Sequence, residues 1–255
     1  MKKYYRMTAC LCALLLAGAS CTQPVYEEKT EEETKEEESQ RPSPDNNTDR
    51  PEDLPDEDYD LLEWTGDTHK FKIEDGKSVQ LYDPSEQAGT AQLTAAVKPL
   101  RESCWLLRIK VSYNPSANNF TRFYLAASTP DLFNKEIEGY FVQVGGNYDH
   151  VYFCRQKGER VYKLFTAEDV LQDSNNSEVD LKIECDKNGY FTIQCTTWTT
   201  QGTYMQQHVV KDTVSIPSPY CGIRCTYTKT RHKHTLYRWI RVHHNVDSYE
   251  ELEPV

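Results

Sequence analysis

Alternation with a period of two residues is the feature that most narrows what this chain can fold into. From Phe71 onward polar and apolar residues take turns. Trp105, Leu107, Ile109, Val111 and Tyr113 interleave with Leu106, Arg108, Lys110 and Ser112; Tyr140, Val142 and Val144 with Phe141 and Gln143; Leu181, Ile183 and Cys185 with Lys182 and Glu184. Successive side chains of an extended strand point to opposite faces, so each run offers one apolar face for burial. Turn residues separate the runs: Gly145-Gly146 before Asn147, Lys157-Gly158-Glu159, and Asn188-Gly189 suit tight antiparallel reversals. The only helix signal, Thr166 to Leu171, is a capping-box turn. About ten to twelve strands over roughly 180 residues, with no amphipathic helix to cover them, predict two antiparallel sheets packed on each other as one all-β domain.

The segment ahead of this body differs in composition. A basic start (Lys2, Lys3, Arg6), an apolar run from Ala9 to Ala17 and small residues before Cys21 make residues 1–20 a secretory leader, too short to span a bilayer. Between Thr22 and Asp60 sixteen acids stand against four bases, net −12 where the whole chain carries −11, so the remainder is near neutral. Residues 21–60 are expected to be a disordered acidic tether, 61–246 the sandwich and 247–255 an acidic tail. A near-neutral body lacks the basic surplus that displaces phosphate counterions, which argues against a nucleic-acid partner.

Three residue classes could carry chemistry. His232 and His234 have the spacing of two ligands on one strand face, but Lys229, Arg231 and Lys233 beside them disfavour a cation; neither a metal nor a cofactor is expected. Six cysteines follow Cys21: Cys104, Cys154, Cys185, Cys195, Cys221 and Cys225. Four of them are in phase with Ile183, Ile193 or Ile223 and read as buried free thiols, with room for one cross-strand bridge. Seventeen tyrosines against eight phenylalanines leave many rings with a polar tip. Trp198, in a polar run, and Trp239, out of phase with Ile240, are the candidates for exposed rings, with Tyr124, Tyr152 and Tyr162 as partners on an outer face. Cross-strand pairing that stabilises the sheet is the plainer account of the same rings.

Several segments resemble a family. Asp83-Pro84, Trp105, Asn114 to Leu125, Gly139 to Gly146, Arg155-Gln156, Asp186 to Gly189, and Tyr220 to Thr228 with Arg231 are similar to a concanavalin-A-like (jelly-roll) β-sandwich module. That module is found in Bacteroidetes surface lipoproteins and ahead of lamin-tail domains. The Ala19-Ser20-Cys21 ending likewise resembles a bacterial lipoprotein processing site, although Gly18 replaces the usual Leu. The resemblance implies acylation of Cys21, and acids soon after it resemble a surface-export signal. It thus implies a lipid-anchored protein of the outer membrane, exposed at the cell surface; ordinary signal-peptide cleavage and a periplasmic spacer are the alternatives. Concanavalin-like glycosidases carry closely spaced acids on one strand, and Glu178, Asp180 and Glu184 are the nearest counterpart. The last Glu is too far along, Lys182 shares their face, and Tyr237-Arg238-Trp239-Ile240 replaces the paired acids usual on the last strand. The expectation is a non-catalytic module whose partner is a glycan or other polymer; an accessory role toward an envelope protein is the alternative and a glycoside hydrolase the remote one.

Overall fold

In the computed structural model the described residues are 26–28, 59–75, 78–171, 176–199 and 202–244. The leader, Cys21, the acidic tail and most of the expected tether lie outside them. The strands, in chain order, are β1 (Tyr26–Glu28), β2 (Thr65–Gly66), β3 (Phe71–Glu74), β4 (Ser78–Leu81), β5 (Gly89–Ala96), β6 (Ser103–Val111), β7 (Phe120–Ala127), β8 (Glu138–Gly145), β9 (Val151–Lys157), β10 (Arg160–Ala167), β11 (Ser177–Cys185), β12 (Tyr190–Thr199), β13 (Gly202–Lys211), β14 (Tyr220–Tyr227) and β15 (Thr235–His244). They form two sheets. Sheet A runs β1-β10-β9-β8-β7-β14-β5-β2 and sheet B runs β13-β12-β11-β6-β15-β4-β3. Every pairing is antiparallel except that of β1, which lies parallel to β10 with Tyr26 opposite Val161.

The expected all-β, two-sheet sandwich is therefore the observed one. Strands outnumber the expectation because β1 to β4 span two to four residues each, too few for alternation to register. The long strands fall where the periodicity placed them, and Gly158 and Gly189 take the positive φ (59° and 87°) of their turns. Between the sheets, β6 contributes Trp105, Leu107, Ile109 and Val111, β8 contributes Tyr140, Val142 and Val144, and β11 contributes Val179, Leu181 and Ile183, all essentially without exposure. Trp105 meets Phe123 edge-on at 5.6 Å. Each such side chain contributes about 1.5–3 kcal/mol through burial. All six body cysteines are buried thiols, and burial pushes those of Cys221 and Cys225 up to about 12.

A second, smaller cluster lies on the outer face of sheet A. Tyr124, Phe141, Tyr152, Cys154 and Val161 point away from the main core and are roofed by Leu132 and Ile137 from the 128–137 loop. Gly139 makes room for the Tyr124 ring: a Cβ there would fall 2.4 Å from Ala126 O and 3.3 Å from the ring itself, while one on Gly222, the cross-strand partner of Tyr124, would fall 2.4 Å from Leu93 O and 2.9 Å from Leu132 Cδ1.

Candidate functional site

Alternation along β11 sends Val179, Leu181, Ile183 and Cys185 inward and Glu178, Asp180, Lys182 and Glu184 to the outer face of sheet B. On β6 the outward residue opposite Asp180 is Arg108. Next in line on β15 is Trp239, whose direction depends on a bulge. Arg238 is the extra residue between Tyr237 and Trp239, so that Tyr237, Ile240 and Val242 all point inward while Trp239 points out. On the other side, β12 presents Trp198.

These residues form one linked line across four strands. Arg108 grips Asp180 with two bonds, Nε to Oδ1 at 2.6 Å and Nη2 to Oδ2 at 2.7 Å. Trp198 donates Nε1–H to the same carboxylate at 2.8 Å. The Arg108 guanidinium carbon lies 3.4 Å from the centre of the Trp239 ring. Arg108 is 3% exposed, while both tryptophans are half-buried. Three strand spacings set the β12 and β15 backbones about 14 Å apart, and the indoles approach each other through the Asp180–Arg108 pair between them. Around the line, Glu178 forms an ion pair with Arg238 at 3.1 Å and Lys182 pairs with Glu184 at 2.9 Å.

The carboxylates are thus paired with cations, and the two glutamates stand too far apart for a glycosidase pair. Glu178 and Glu184 are six residues apart along one strand, about 20 Å, where a retaining pair needs about 5 Å and an inverting pair at most about 9.5 Å. Asp180 is nearer to Glu178 but is held by three hydrogen bonds. Among the described residues no group of three or more His, Cys, Asp or Glu side chains is placed to hold a metal ion. The histidines are dispersed: His232 contacts Lys229 O at 2.6 Å, and His244 Nδ1 lies 2.6 Å from Asp60 Oδ2.

The tyrosines depart from the expectation. All three are on sheet A, away from the tryptophans. Tyr124 does point outward but has no exposure, because the 128–137 loop covers it and its hydroxyl donates to Gln156 at 2.8 Å. Tyr152 shares that face and is 8% exposed, with the His150 ring edge-on at 5.8 Å and Lys163 Nζ 5.7 Å from its centroid. Tyr162 points to the opposite face, where its ring lies 4.8 Å from Arg155, the partner of buried Asp212. Sequence reading passed over Arg122, Gln143 and Arg224, which meet on the outer face of sheet A. Both arginines stand in the motif segments, out of phase with apolar neighbours, and that phase was the available signal.

No protein-family model matches this chain, and no curated protein does. Solved structures do. The VIP36 exoplasmic/lumenal domain in its Ca2+/Man3GlcNAc-bound form superposes with a TM-score of 0.52 at 11% identity, over 74% of this chain and 87% of that one. Its Ca2+-bound form gives a TM-score of 0.52 at 9% identity, over 74% and 85%. At such identities the likeness is one of fold. On this chain the acids of the sheet B face are engaged by Arg108, Arg238 and Lys182.

Proposed function

We propose that this protein is a non-catalytic binding module, lipid-anchored through Cys21 and displayed at the cell surface, whose sheet B face docks a glycan chain. The observation that carries the reading is the line Trp198–Asp180–Arg108–Trp239. It holds two indoles on one face with their orientations fixed by a bidentate ion pair, so little conformational freedom is lost when sugar rings stack on them. The spacing between the indoles suits an extended chain better than a single sugar. A glycan as ligand class is supported by the neighbour that carries Man3GlcNAc.

The test is a glycan-array screen of the full chain in detergent, followed by Trp198→Ala and Trp239→Ala. Loss of a stacking ring should weaken binding roughly tenfold, about 1.4 kcal/mol, with the fold intact by circular dichroism. An array without binders, or binding that neither substitution changes, overturns the reading. Metabolic labelling with palmitate, expected in the wild type and absent from Cys21→Ser, tests the anchor.

One feature favours a second reading, contact with an envelope protein. β13 is an edge strand with no charge from Gly202 to Val210, and Met205 and Val209 are 43% and 50% exposed. Such an edge can accept a partner's strand. Crosslinking from position 209 in intact cells would identify that partner, and an empty crosslink profile would remove this reading.

A further inference from the structure

Beyond Trp198 the sheet B face changes character. Alternation sends Phe191, Ile193, Cys195 and Thr197 of β12 inward and leaves Tyr190, Thr192, Gln194, Thr196 and Trp198 outward. Their partners on β13, and so on the same face, are Lys211, Val209, Gln207, Met205 and Thr203. Between Trp198 and Tyr190 the two strands present hydroxyls, amides and the apolar side chains of Met205 and Val209. Charge begins at the borders of this strip. Lys211 stands opposite Tyr190, its Nζ 4.9 Å from the ring centroid. On β11, Asp180, Lys182 and Glu184 lie beside Thr196, Gln194 and Thr192, but Asp180 is held by Arg108 and Lys182 by Glu184.

The polar side chains of the strip are not used by the protein itself. Gln206, of inward parity, is bonded in both directions to the Glu168 backbone, at 3.2 and 2.8 Å. Outward Thr192, Gln194, Thr196 and Gln207 make no side-chain hydrogen bond among the described residues. Gln207 is exposed and the other three are half-buried. Hydroxyl and amide groups both donate and accept, which is the capacity that sugar hydroxyls present in return. A polymer carrying carboxylates or sulfates would bring its charges onto the middle of the strip with no cation there to receive them, at a cost in desolvation. Trp198 and Tyr190 are eight residues apart, so the strip runs about 27 Å, with successive outward positions about 7 Å apart.

We propose that the glycan is a neutral linear polysaccharide, and that the stretch of it beyond Trp198 lies along β12 and β13 as far as Tyr190. This rests on the reading of sheet B as a glycan-binding face and narrows its ligand class. Gln194 and Gln207, cross-strand partners at the middle of the strip, hydrogen-bond the sugar hydroxyls. Met205 and Val209, on either side of Gln207, meet the C–H faces of the rings, and Tyr190 supplies a stacking ring at the far end.

The experiment is affinity electrophoresis of the full chain in nonionic detergent, in native gels containing hydroxyethyl cellulose, glucomannan, pullulan, polygalacturonate or dextran sulfate. Retardation by at least one of the three neutral polymers is expected, and added salt should leave it unchanged because no ion pair is involved. Gln194→Ala and Gln207→Ala, both at outward positions, should each weaken it about threefold and together roughly tenfold. Equal retardation of wild type and the double variant overturns the proposal; if Trp198→Ala still weakens it, the glycan-binding face stands without the strip. Retardation by the anionic polymers alone, lost in Trp198→Ala, likewise overturns the neutral ligand and keeps the face. No retardation by any of the polymers overturns the proposal. Joined to an empty glycan array that result removes the face as well, and joined to a dimer in sedimentation that Gln207→Glu dissociates it assigns the strip to a second copy of this chain.

Discussion

On sheet B an arginine in the middle of the outer face meets an aspartate; on sheet A an arginine in the equivalent setting meets another arginine. Arg108 and Asp180 neutralise each other at 2.6 Å and fasten two tryptophans. Arg122 and Arg224 are opposed across β7 and β14 with amides and rings around them. The difference shows that a sheet face can be charged in two ways. A closed ion pair fixes neighbouring side chains and leaves little net charge, whereas two cations at opposed positions concentrate positive charge at one place on the face.

The largest effect expected from this contrast follows removal of the sheet B anion. Asp180→Ala leaves Arg108, a side chain 4% exposed, without its bidentate partner. A loss of about 3 kcal/mol in unfolding free energy is expected in urea melts. A loss under about 1 kcal/mol would mean that Glu178, 4.0 Å from Arg108 Nε, takes over the pairing, and the face would then be less committed than described. The matching change on sheet A should differ in sign or nearly so. Arg224→Met removes the like-charge opposition and the buried Nε while forfeiting the bond to Leu132 O, so stability should stay within about 1 kcal/mol of wild type. A cost equal to that of Asp180→Ala would erase the distinction between the faces.

Much of this architecture was legible in the sequence, and the failures have one cause. The runs 103–111, 138–145 and 177–185 announced themselves because each buries one face continuously. Trp198 stands in a polar run and Trp239 out of phase with Ile240, and both side chains lie half-buried on the outer face of sheet B. Tyr124 has the outward parity of an exposed residue, yet Leu132 and Ile137 cover it from a loop with no periodicity to read. Tyr162 was assigned to the face of Tyr152, but cross-strand register sets it opposite Arg155 and on the other face. Arg122 and Arg224 are over a hundred residues apart in the chain. Only the order of strands, which no local pattern encodes, makes them neighbours.

The smallest expected effect uses one thiol from each outer face. Burial pushes both Cys104, under the sheet B acids, and Cys154, within the sheet A cluster, up to about 12, so near pH 8 only about one molecule in ten thousand holds either as thiolate. Alkylation should therefore be slow and report opening of the structure. Cys154 should be modified first, because it needs only the 128–137 loop to lift, whereas Cys104 sits in β6 between β15 and β11. The reverse order, read by mass spectrometry of timed digests, would make sheet B the looser face.

The three-residue β1 strand changes the geometry of attachment. Its ladder bonds fasten Tyr26–Glu28 along β10, and four residues stand between Cys21 and Tyr26, so the five steps reach at most about 18 Å. An acylated Cys21 would then moor the sandwich by its β10 margin, close against the lipid headgroups. Quenching by lipid-borne nitroxides of a fluorophore near β10, and not of one on β13, would register that posture; equal quenching at both would show the domain riding free of the bilayer.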